Sequence, residues 1–299
     1  MSSMLNEAPA SDARAEGLPF GVPGLVWFFA LLSLCYAPIL LNLANQWMMD
    51  EDMGHGFFVP VIAGYVAWQK REELAAAPLK RNWLGLVVLA VAAFQSIIGT
   101  LGAELFLSRT AFILSVIGCV LFLGGYAAIR VLAFPLFLLA FMIPIPSIIY
   151  NRITFPLQLL ASGVAETVLT LVGIPVYRDG NVLELPSQKL SVVEACSGIR
   201  SLLSLSFLSL VYGYFFDQKS WMKWLLLVAT APIAITANAS RVTLTGLLSE
   251  INVEYSQGIY HSLSGWVVFM VALVILVIVH QIVNQIYNRV VKSKTGGLS

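Results

Sequence analysis

A carboxylate, a thiol and a guanidinium crowd together in a chain that is otherwise mostly apolar. They belong to Glu194, Cys196 and Arg200, in the run Val192-Val193-Glu194-Ala195-Cys196-Ser197-Gly198-Ile199-Arg200-Ser201-Leu202-Leu203. The stretch from Ile199 to about Tyr214 reads as a membrane helix. Cys196 therefore stands at the mouth of that helix, beside its first free backbone N–H groups. A helix N-terminus carries partial positive charge and favours thiolate over thiol, and thiolate is the nucleophilic form. The other two cysteines, Cys35 and Cys119, each lie alone in an apolar run and read as small buried hydrophobes. Ser197 is the weaker nucleophile, because no base is evident close to its hydroxyl.

Two further polar sites accompany this one. Asn238, Arg241 and Thr245 fall at i, i+3 and i+7 in an apolar run, on one helical face. A guanidinium costs about 2.5–3.5 kcal/mol at mid-span, so Arg241 needs a partner or a job. The plain alternative is a snorkelling residue paired with Glu250 or Glu254. His261 opens the last apolar run in Tyr260-His261-Ser262-Leu263-Ser264-Gly265-Trp266. Gly265, one turn below it, leaves room for another helix or a substrate chain. A thiolate, an imidazole to move protons and a fixed cation to hold oxyanion charge make a working acyl-transfer set. Arginine does not deprotonate, so His261 takes the acid–base role and Arg241 the electrostatic one. Glu194 and Arg200 are candidates to orient the others, and Arg200 competes with Arg241 for the oxyanion. His55 follows Asp50-Glu51-Asp52 and is open to three readings: a substrate contact, a second proton carrier, or a capping histidine. His280, near the basic tail, reads as structural.

The elements that must position these groups are membrane helices. The chain has 299 residues, 59% hydrophobic and 11% charged, with a mean hydropathy of +0.84. That composition defines a polytopic membrane protein. A net charge of +1 gives no reason to propose nucleic acid as a partner. Three scattered cysteines without a CxxC argue against a disulfide framework or a zinc site, and no motif calls for a metal or another cofactor. Residues 1–22 read as a disordered cytoplasmic tail without the features of a cleavable leader. Residues 23–290 read as one transmembrane domain and 291–299 as a second cytoplasmic tail. Apolar runs fall near 23–46, 57–68, 83–101, 105–125, 129–148, 198–216, 222–247 and 262–288. This predicts an all-α protein of about eight transmembrane helices.

Positive charge orients them. Lys70, Arg71, Lys80, Arg81, Arg130, Lys219, Lys223 and the basic tail are assigned to the cytoplasm, and the acidic loops to the outside. By parity, 153–173 then does not cross. Its polar stripe, Gln158, Ser162, Glu166 and Thr170, predicts an amphipathic helix lying at the outer interface. Next, Asp179-Gly180 suits a tight turn between two short strands, with a third over Leu190–Val193, so a small extracytoplasmic β-hairpin cap is expected. The same charge rule brings Cys196, Arg241 and His261 to one membrane face, the extracytoplasmic one.

In these motifs the chain resembles the exosortase/archaeosortase family of multi-pass membrane cysteine enzymes. The likeness rests on Glu194-Ala195-Cys196-Ser197-Gly198-Ile199-Arg200, Asn238 to Arg241, and His261 to Trp266. Gly54-His55-Gly56 and Met142-Ile143-Pro144-Ile145-Pro146 add to it, and it covers about residues 25–290. The resemblance implies a cysteine peptidase or transpeptidase of the bacterial inner membrane, with Cys196, Arg241 and His261 as its catalytic set. It implies exported proteins as partners, each with a C-terminal Pro-Glu-Pro-like motif, a transmembrane helix and a basic cluster, in an exopolysaccharide-producing setting. Cleavage would be followed by hydrolysis or by transfer to an acceptor. Two other classes fit polar residues in spans. One is a transporter or scaffold of exopolysaccharide export, although a transporter would place them near the bilayer midplane in repeated halves. The other is a Cys–His acyltransferase acting on a lipid thioester.

Overall fold

A computed structural model describes residues 21–192 and 199–295. The expected N-terminal tail up to residue 20, Glu194 and Cys196, and the last four residues lie outside the described residues. What is described is helical apart from one small sheet. It forms two compact units, one of residues up to 46 with 57–143, the other of 47–56 with 144 onward.

In the first unit α1 (Gly21–Cys35) and α2 (Ala37–Met49) meet at a bend of 75° around Tyr36. Pro38 lacks an N–H and disfavours helical geometry in the residue before it, which accounts for a break there. The unit continues with α3 (Phe58–Gln69), α4 (Arg71–Ala76), α5 (Leu84–Leu101) and α6 (Leu105–Leu138). The last two pack antiparallel, and the carboxylate of Glu104 caps α6 by accepting from the Leu107 N–H at 2.7 Å. Inside α6, Gly125 takes φ 66° and ψ −161°, a conformation essentially restricted to glycine. A Cβ there would meet the Lys80 carbonyl oxygen at 2.3 Å. Two polar links hold α6 to the bent pair: Tyr36 Oη lies 2.8 Å from Ser115 Oγ, and the buried Arg109 donates to Asn42 Oδ1 at 2.8 Å.

The second unit holds α7 (Ser147–Leu171), strands β1 (Tyr177–Asp179), β2 (Val182–Glu184) and β3 (Lys189–Ser191), then α8 (Ile199–Phe216), α9 (Ser220–Ile251) and α10 (Gly258–Thr295). The strands form an antiparallel sheet in the order β1-β2-β3. Its first turn is Gly180-Asn181, one residue later than the Asp179-Gly180 expected, because Gly180 is the residue at φ 61° and Asp179 still pairs with Val182. Leu183, Leu185, Leu190 and Val192 pack from the sheet onto Ala161, Ala165 and Leu169 of α7 and Ala239 and Val242 of α9. A second core joins the remaining helices through Leu205, Met222, Leu226, Ala234, Ala272 and Leu276.

Two expectations are corrected here. Among the described residues, five helices qualify as spans by length and composition, or six if α1 and α2 count as one broken span. The count of about eight is not supported. The run 105–125 and most of the run 129–148 make up the stretch Leu105–Met142, two helices that meet at a kink at Gly125. Run 57–68 gives α3, whose 12 residues reach only about 18 Å.

The helix expected to lie at the interface is instead α7, 25 residues long and apolar enough to cross. It runs in the same direction as α9, since Leu157 lies beside Ala234 and Asn238 while Leu169 lies beside Gly246. Its polar stripe carries the sheet: Gln158 Oε1 accepts from Asn181 at 2.9 Å, Ser162 Oγ donates to the Gly180 carbonyl at 3.0 Å, and Glu166 accepts from Arg178 at 2.6 Å.

Candidate active site

Arg241 and His261 meet. Arg241 stands on the last third of α9 and His261 in the first turn of α10, where the two antiparallel helices converge. Nη2 of Arg241 lies 2.9 Å from His261 Nε2 and 3.4 Å from the His261 carbonyl oxygen. A guanidinium only donates, so Nε2 accepts. In this contact the ring is neutral and carries its hydrogen on Nδ1. Gly265 supplies the seat, because a Cβ there would lie 2.8 Å from both Cζ and Nη2 of Arg241. The room left by Gly265 is thus filled by a side chain of the same protein, not by another helix or a substrate chain. Thr245 Oγ1 bonds the Arg241 carbonyl at 2.9 Å and pins the helix there. Nε of Arg241 is buried with no hydrogen-bond partner among the described residues.

One turn back along α9, the buried Asn238 lines a cavity of about 10 Å³ with Leu157, Leu202, Ala234 and Ile235. That volume is room for about one water. Leu202 belongs to α8, so the start of α8 and the Arg241 face of α9 are neighbours. Arg200 occupies the first turn of α8 and is half-buried. Glu194 and Cys196 fall outside the described residues, but both flanks of their segment are described. On one side stands β3, and on the other α8.

His55 is buried and lies deeper along α8: its Nδ1 is 3.3 Å from Ser204 Oγ and its ring centroid 6.3 Å from that of Phe207. Ser206 of the same turn faces Thr230 of α9 at 3.2 Å. His55 therefore sits at a level about 16 Å short of Arg241 along α9, and the two are not brought together. Next to His55 in sequence, Gly56 is backed by the indole of Trp47, which a Cβ there would meet at 2.4 Å.

At the other end of the unit His280 is buried and bonded through both ring nitrogens. Its Nδ1 lies 2.9 Å from Tyr212 Oη and its Nε2 3.0 Å from Asp217 Oδ2. Burial acts to raise the Asp217 pKa. The Lys219 backbone N–H, the His280 hydrogen bond and the charges of Lys219 and His280 outweigh it and hold the carboxyl below its ordinary value. Sequence reasoning passed over Arg109. The signal was the one that singled out Arg241, a guanidinium inside an apolar run.

The class so defined is a helical membrane protein with a guanidinium–imidazole pair where two of its long helices converge. The model of the transmembrane exosortase family matches residues 47–278, well over half of the chain, and the protein belongs to that family, as its motifs led us to expect. The matched stretch contains Cys196, Arg241, His261 and His55. No curated protein and no solved structure matches the chain at significance.

Proposed function

We propose that this protein is a membrane-embedded cysteine peptidase or transpeptidase that removes C-terminal sorting signals from exported proteins. The signal is the tripartite one of the family: a Pro-Glu-Pro-like motif, a transmembrane helix and a basic cluster. The observation that carries the reading is the Arg241–His261 contact at 2.9 Å, found in a member of the exosortase family. The distribution of basic residues supports a multi-pass inner-membrane protein whose active site faces the extracytoplasmic side.

Cys196 is the nucleophile. Its proton passes to His261, the thiolate attacks the scissile carbonyl, and Arg241 holds the tetrahedral oxygen. Collapse breaks the C–N bond, the imidazolium gives its proton to the leaving amine, and a thioester remains on Cys196. Water or an acceptor amine then attacks the thioester, with His261 taking the incoming proton; the C–S bond breaks and the imidazolium returns the proton to the Cys196 sulfur. The resting contact bears on this sequence, because Nε2 cannot accept a proton while it accepts from Arg241. Substrate entry must therefore part the two side chains, which frees the ring nitrogen and the oxyanion donor in one movement.

Cys196→Ala tests the assignment. The variant is expected to accumulate in the membrane at normal levels and to leave the sorting signal uncleaved, as seen by immunoblot of the exported protein. Continued processing would remove Cys196 from the reaction.

A further inference from the structure

β3 offers a main-chain edge on the side of the sheet away from β1. β1 lies over α7, tied by the Arg178–Glu166 pair and the Ser162–Gly180 bond. β3 is the opposite edge, and the turn that leads into it is held by α9 and by the short helix before α10. There the Ser187 N–H donates to the Glu250 carboxylate at 3.1 Å, Ser187 Oγ to Ser249 Oγ at 3.3 Å, and Gln188 Nε2 to Ser256 Oγ at 2.7 Å. α10 begins at Gly258, with His261 in its first turn.

The ladder fixes which groups of β3 are already used. The Val192 N–H donates to the Asn181 carbonyl at 3.0 Å, and the Leu185 N–H to the Gln188 carbonyl at 2.9 Å. In an antiparallel pair such hydrogen-bonded positions alternate with positions whose main-chain groups point outward. With Leu183 opposite Leu190 and Val182 opposite Ser191, the outward positions of β3 are Lys189 and Ser191. No strand among the described residues pairs with that edge. The buried side chains of Leu190 and Val192 hold the strand from behind, and the Lys189 ammonium is paired with Glu184 of β2. What remains for a ligand is a rigid row of N–H and C=O groups, the recognition element for an extended polypeptide.

We propose that β3 is the substrate-docking strand: an extended segment of the substrate polypeptide adds to the sheet through the main-chain groups of Lys189 and Ser191. The inference rests on the peptidase reading above. It commits to an unwound peptide because this edge is continuous in sequence with the segment that leads to Cys196, and because the turn into it is anchored to α9, which carries Arg241, and to the short helix that precedes His261. β1 has neither property. A main-chain ladder reads extension more than side-chain identity, so the substrate must leave its helix around the scissile amide to be held.

Ser191→Pro tests this. It removes the outward N–H and places the ring in the path of an added strand, while the Leu190 and Val192 ladder bonds are kept. The assay uses the full-length reconstituted chain and the exported protein whose cleavage stops in Cys196→Ala. Ser191→Pro should raise KM about tenfold, the loss of roughly one main-chain hydrogen bond, with the alkylation rate of Cys196 unchanged. An unchanged KM in Ser191→Pro overturns the proposal. If the proline also alters alkylation, an N-methyl scan of the substrate decides: sensitivity at alternate residues supports an added strand, and equal tolerance at every position overturns it. A wild-type chain that cleaves nothing, indistinguishable from Cys196→Ala, defeats the peptidase reading, and the docking strand falls with it.

Discussion

At the scale of single residues the informative position is Gly265. A methyl group there would lie 2.8 Å from the Arg241 guanidinium, which is the free end of a long side chain and yields more easily than the helix. Alanine also favours a helix over glycine by about 1 kcal/mol. Gly265→Ala is therefore expected to fold at least as well as the parent and yet to lose tenfold or more in cleavage, because the displaced guanidinium leaves the position from which it would hold the oxyanion. Turnover measured beside thermal unfolding in detergent separates the two effects, and normal turnover would detach Gly265 from the site. Much of this site was legible in the sequence. A guanidinium in an apolar run must be accounted for, and one charge rule set Arg241 and His261 at the same end. The occupant of the Gly265 gap was not legible, since spacing says which residues share a face but not what fills it. The same rule gave His55 the same depth, whereas packing against Ser204 and Phe207 sets it deeper.

At the scale of elements, α7 shows how a correct periodicity can carry the wrong environment. Polar residues every fourth position were legible, and so was a hairpin after them. Periodicity does not distinguish a face covered by water from one covered by protein. Here the stripe meets the sheet, and its fully buried member, Ser162, bonds the carbonyl of the turn glycine. Ser162→Ala would leave the Gly180 carbonyl without that donor, at a cost of about 1–2 kcal/mol. The expected outcome is a lower unfolding temperature with earlier proteolytic nicking at the hairpin. Unchanged proteolysis would show that the stripe does not hold the cap.

At the scale of the whole molecule, hydropathy located the apolar runs but not their breaks. The bend at Tyr36 and the left-handed Gly125 are single-residue events, invisible to an average over twenty residues. A pH dependence belongs at this scale too, because Asp217 joins the α8–α9 turn to α10. Its carboxyl is held below the ordinary value in the folded protein. The stability it contributes is then present above the unfolded-state pKa, about 4, and is lost as pH falls through the folded value. Asp217→Asn should unfold at a lower temperature than the parent at pH 7, and the gap should close on acidification below the usual carboxylate range. A gap that stays constant down to pH 3 would mean the charge is not what stabilises the turn.

His280, which Asp217 holds, and His261 ride on a single unbroken helix, Gly258–Thr295, about 28 Å apart along its axis. A rod of that kind has no joint at which to absorb torsion. Any rotation imposed at the Tyr212–Asp217 collar swings the distant imidazole through the same angle, so damage to an anchor near the basic tail turns His261 away from Arg241 at the far end.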